Sequence, residues 1–124
     1  MSSTTANAIL DAIGNATAYS IATPYIQLHT GAPGTAGTAN VATETTRKLV
    51  SFGAAAGGVI SNDTAIVWTN IAGSQDATHW TLWTAAAAGT FIGSGTITAN
   101  AYTAGDTYTI PIGDLDVSLT ITPD

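Results

Sequence analysis

The order of apolar and polar positions divides the chain into one short helical segment followed by a run of alternating ones. Between Thr5 and Gly14, Ile9, Ala12 and Ile13 recur at helical spacing. Thr4 or Thr5 stands where an N-cap would be, and Gly14 stands where a helix would stop. This predicts a helix over about residues 5–13. After it the period changes to two. In Tyr25–His29, Ile26 and Leu28 share a face. Lys48–Phe52 sets Val50 and Phe52 on one side, and Ala65–Ile71 sets Ile66 and Trp68 against Val67. Thr78–Ala85 sets Trp80 and Leu82 against His79, Thr81 and Trp83. Thr90–Thr98 is apolar but interrupted by Gly93 and Gly95, which predicts a bulge or a close backbone approach. Tyr108, Ile110 and Ile112 alternate with threonines, and Pro111 marks an edge position or bulge. In the last segment Leu115, Val117, Leu119 and Ile121 face inward, opposite Asp116, Ser118, Thr120 and Thr122.

Six or seven short strands separated by turn residues predict a mainly β fold with one N-terminal helix. The expected architecture is an antiparallel β-sandwich, of which a jelly roll is one form. No linker divides residues 1–124, so one domain is expected. The segment at about 31–46 is long for a connection without structure, and loops of that length are commonly functional or ordered by a partner.

Composition narrows the classes of function. Apolar residues make up 45%, enough for a packed core. Eight acidic residues face two basic ones, the neighbours Arg47 and Lys48, for a net charge of −6. Nucleic-acid binding needs clustered cations to neutralise phosphates, and anionic membrane surfaces need the same. Neither partner is expected. There is no cysteine, so disulfides and thiolate metal sites are excluded. No run approaches the roughly 18 apolar residues of a membrane span. The N-terminus lacks a basic segment followed by an apolar core, so synthesis in a cytoplasm is expected. Thr, Ala and Gly make up about half the chain, giving neutral, hydroxyl-bearing strand surfaces.

Catalytic and metal-binding patterns are weak. His29 and His79 could join Asp76, but no pair has a metal-ligand spacing, and local hydrogen bonding accounts for both. Ser94 lies between glycines inside a strand, not at a strand-to-helix turn. Asp114 and Asp116 share a face and suit a solvated edge better than a cation site or a pair of catalytic carboxylates. The Thr-x-Thr triplets at 96–98, 107–109 and 120–122 are too unevenly spaced for a flat ladder. Among the tryptophans, Trp80 is expected in the core, while Trp83 could be a covered residue or an interface anchor. The expectation is a non-enzyme with no cofactor and no metal.

The run Leu28-His29-Thr30-Gly31-Ala32-Pro33-Gly34 resembles the LHTGxPG motif of a family of small bacteriophage virion proteins, described as tail-fibre-like, minor tail or capsid-decorating. Four further stretches resemble that family: Arg47–Ala55, Gly57–Trp68, Ala77–Ala85, and the pair Ala104–Thr107 with Gly113–Val117. The order and spacing of these pieces cover nearly the whole chain. Two departures are Ala32, where the family has Asp before the proline, and Thr84, where it has an acidic residue.

The resemblance implies a non-enzymatic virion protein made in the host bacterial cytoplasm. With no shaft-forming repeat in the chain, a capsid decoration (cementing) protein on the outer head surface is the leading expectation. Its implied partners are the major capsid protein and copies of itself, as a trimer or other symmetric cluster, acting through avidity. The alternative is a tail-fibre-like or minor tail protein contacting the host, with a host glycan as ligand. Interface candidates are Ile9, Ile13, His29, Pro33, Arg47, Lys48 and Trp83.

Overall fold

Helix α1 spans Ser3–Gly14 in a computed structural model, which describes residues 1–119. Its N-cap is Ser2, two residues before the expected Thr4. The Ser2 hydroxyl accepts from the Thr5 amide and donates to the Phe91 carbonyl at 2.8 Å. The Ser2 amide also meets the Ile92 carbonyl at 2.7 Å. A cap that satisfies both the helix end and a strand outcompetes one that serves the helix alone. Thr5, expected as a cap, is instead the buried residue of the helix.

Eight strands follow among the described residues: β1 (Tyr25–His29), β2 (Lys48–Leu49), β3 (Val59–Ser61), β4 (Ile66–Trp68), β5 (Gln75–Trp83), β6 (Phe91–Tyr102), β7 (Tyr108–Ile110) and β8 (Asp116–Ser118). They form a four-stranded sheet in the order β2-β1-β5-β6 and two ribbons, β3–β8 and β4–β7. Every pairing is antiparallel. The register sets Ile26 opposite Leu82 and Leu28 opposite Trp80. These four side chains join Ile66, Trp68, Ile110 and Leu115 of the ribbon layer in one buried cluster. Each contributes about 1.5–3 kcal/mol on leaving water. The fold is mainly β with one N-terminal helix, as the alternation predicts.

The glycines of β6 fulfil both expectations for that strand. The β5–β6 register shifts between Leu82 and Trp83, opposite Gly93 and Phe91. A Cβ at Gly95 would lie 2.5 Å from the Trp80 ring, so the indole occupies the space a side chain would need.

Other segments depart from the pattern. Lys48–Phe52 contributes two strand residues, after which Phe52 makes only an isolated bridge to Asn62. The strand Val59–Ser61 was not anticipated, because its three residues are too few to display a period. Ile112 is exposed, and so is Leu119, which was expected to face inward. Pro111 and Gly113 turn the chain at the first, and the second lies past the three-residue β3–β8 ladder. Thr120, Ile121 and Thr122 lie outside the described residues. Asn62, fully buried, fastens the ribbons together. Its amide nitrogen donates to the Thr64 and Pro111 carbonyls, and its side-chain oxygen accepts from the Leu115 amide.

The long loop is ordered by the chain itself. The Thr30 amide donates to the Asn40 carbonyl, Ala42 donates back to Leu28, and Val41 bridges His29. The segment therefore returns alongside β1. A narrow turn is made by Ala39 donating to Pro33 and Gly37 donating to Gly34. Gly34 and Gly37 both have positive φ, which glycine adopts without steric cost.

Candidate functional site

Four consecutive residues of β5, Trp80 to Trp83, are buried, although alternate side chains of a strand point to opposite faces. Trp80 and Leu82 enter the core, whereas Thr81 and Trp83 face the other way, beneath the long loop and the segment around residues 84–91. This second face carries its own packed layer. A Cβ at Gly37 would lie 2.6 Å from the Phe91 ring, so the loop backbone rests directly on that aromatic. Phe91 packs on Trp83 with centroids 5.4 Å apart and planes tilted by 45°. Arg47 also lies over the indole, its Cζ 4.0 Å from the ring centroid. One guanidinium nitrogen donates to the Ala85 and Ala88 carbonyls, at 3.0 and 2.7 Å. A planar cation that stacks and forks at once does what a lysine could not.

A hydrogen-bond chain runs beneath this layer. His29 Nδ1 lies 2.8 Å from the Ala39 carbonyl, which can only accept, so that nitrogen carries a proton. Burial is the largest influence on His29 and lowers its pKa; the Ala39 bond opposes it, and the electrostatic influence of the nearby His79 and Arg47 reinforces it. The neutral ring then presents Nε2 as an acceptor, 2.8 Å from the Thr81 hydroxyl. Thr81 donates there and accepts from the Trp83 indole N–H, also at 2.8 Å. The direction is fixed from Trp83 through Thr81 and His29 to Ala39, with every participating proton used once. The chain binds β5 to β1 and β1 to the long loop.

The residues expected at an interface separate into two groups. His29, Pro33 and Trp83 are buried within the chain, so their surface is taken up by the sheet and the loop. Arg47 is half-buried on Trp83, and Lys48 is half-buried in β2. The helix keeps its apolar face outward: Ile9 is half-buried, while Leu10 and Ile13 are 63% and 78% exposed. Leu10 was missed as a candidate, although its i, i+3 relation to Ile13 places both on one stripe. Trp68, Trp80 and Trp83 are each at most 7% exposed and offer no ring for stacking on a sugar.

The groups weighed for chemistry do not converge. His79 pairs with the adjacent Thr78 hydroxyl at 2.9 Å, and Asp116 accepts from Ser61. Among the described residues, no three His, Cys, Asp or Glu side chains gather as metal ligands, and no helix is long and apolar enough to cross a membrane. Burial raises the pKa of Tyr108 and Tyr102, with Tyr102 adding to the effect on Tyr108 and Glu44 and Asp76 to that on Tyr102.

A family model described as "Podophage GP4 fiber I protein gp80" matches residues 1–118, from helix α1 through β8. No curated protein matches the chain.

Proposed function

The chain belongs to the podophage GP4 fiber I protein gp80 family, and from that premise we propose that it is a non-enzymatic structural component of a phage fibre. The family match over residues 1–118 carries this reading, because it takes in the helix and every described strand. A virion protein of tail-fibre type was the alternative beside capsid decoration. The family's description as a fibre protein moves it ahead of the cementing role.

The use of side chains supports a structural task. His29, Thr81, Trp83 and Arg47 are committed to internal bonds that stiffen the sheet and its covering loop. Attachment falls to helix α1, whose Leu10 and Ile13 are the most exposed large apolar side chains outside the loops. In this reading the helix packs against copies of the chain or neighbouring virion subunits, and many such contacts together hold the fibre. Host contact does not run through stacked tryptophans.

Gold-labelled antibody on intact virions, viewed by electron microscopy, tests the proposal. Label along or at the end of tail fibres is the expected result. Label spread over the head would restore capsid decoration and reject the fibre role.

A further inference from the structure

Strand β6 closes one side of the four-stranded sheet, and its outer edge faces the ribbon strand β8 across a groove of about 460 Å³. The Ser2 amide donates to the Ile92 carbonyl at one end of this edge. That bond identifies Ile92 as a residue whose backbone groups point away from β5. By two-residue alternation, Ser94 and Thr96 point the same way. Gly93 and Gly95 leave the groove's floor without side chains, and Trp80 lies beneath Gly95. Among the described residues β8 is likewise paired on one side only, with β3. A second hollow, beside Ile97, Thr98 and β7, continues past Asp114 and Asp116, which line both.

We propose that this groove accepts an extended segment of another polypeptide bearing a lysine or arginine, added as a strand to the outer edge of β6. Two strand edges that no other described strand pairs, flanking one cleft, form a template for strand addition. Charge selects the occupant. Asp114 and Asp116 stand over the groove, and its lining holds no basic side chain. Met1 lies over Gly93 at the end already used by Ser2, leaving Ser94 onward for the incoming strand. A second copy of this chain is a poor donor, because its two basic side chains sit together and Arg47 is fastened to Trp83. The chain's own residues 120–124 carry no cation. The inference concerns a site distinct from the helix and does not depend on whether the protein sits in a fibre or on a head.

The test uses the full chain and the blocked peptide Val-Lys-Val-Lys-Val-Lys-Val, followed by amide NMR and hydrogen exchange. The expected result is binding that shifts and protects the Ser94 and Thr96 amides. Exchanging the peptide's lysines for glutamates should abolish it, as should N-methylation on its pairing side. Asp114→Asn with Asp116→Asn, both at exposed sites, should weaken binding about tenfold without shifting the unfolding midpoint. No binding, equal binding of the lysine and glutamate peptides, or full binding of the methylated peptide would overturn the proposal. So would protection of Ser94 and Thr96 in the free protein: concentration-independent protection assigns the edge to the chain's own segment, and concentration-dependent protection to a second copy.

Discussion

The proton between Thr81 and His29 belongs to Thr81. Their atoms are 2.8 Å apart, and the opposite ring nitrogen of His29 already donates to Ala39. Thr81 thus serves two neighbours with one hydroxyl. Thr81→Val keeps the shape but leaves the Trp83 N–H and His29 Nε2 buried without partners. At about 1–3 kcal/mol per orphaned group, a loss of roughly 2–6 kcal/mol is expected in urea unfolding. Thr81→Ser, which retains the hydroxyl, should recover most of it.

The same arrangement makes stability depend on pH with a definite sign. Burial, the first cause, depresses the folded pKa of His29 below its ordinary 6.5. Between the two values the unfolded chain binds the extra proton, so stability rises with pH in that window. The contribution is complete above pH 6.5 and lost as pH falls towards the folded pKa. Unfolding free energies measured from acid to neutral pH should show this slope, and His29→Gln should lack it. Equal slopes in both proteins would mean that His29 does not titrate on unfolding.

Arg47→Lys retains the charge but loses the stack on Trp83 and the shared donation to Ala85 and Ala88. A cost of about 1–2 kcal/mol is expected, with faster amide exchange across residues 84–90. A variant as stable as the parent, with unchanged exchange, would show that the stack contributes nothing measurable.

Two glycine substitutions separate space from backbone freedom. Gly95→Ala drives a methyl into the Trp80 ring and should cost about 1–3 kcal/mol by overpacking. Gly14→Ala, at the helix end, meets nothing within 4 Å and should be neutral or slightly stabilising. Thermal melts of both variants decide the comparison.

Leu10→Asp with Ile13→Asp should change the melting of the isolated protein little, since both side chains are exposed. Incorporation into virions, followed by immunoblot of purified particles, should fall sharply. Normal incorporation would remove the helix from the attachment surface.

Much of this architecture is legible in the sequence wherever one face of a strand is buried. Ile26 with Leu28, Ile66 with Trp68 and Trp80 with Leu82 each mark an inward face, and all six lie in the core. The pattern fails where burial has two sides. The face of Thr81 and Trp83 leaves burial open for Trp83 but does not name the loop as what covers it, because loop packing has no period. His29 and Pro33 fall in the same blind spot: a polar residue and a turn former are hidden because a distant segment covers them. The helical stripe was readable for the opposite reason, since its periodicity does not depend on whether anything covers it.

The pin between Ser2 and Phe91 joins residues 89 positions apart. A ribosome releases the helix first and the strand that anchors it much later. Throughout that interval α1 is tethered only through its own C-terminal end, with Leu10 and Ile13 facing water. Completion of β6 fixes the base of the helix and leaves that apolar stripe as open as before. If the proposed attachment runs through this stripe, folding order imposes no separate step to reveal it, because completing the fold leaves Leu10 and Ile13 exposed.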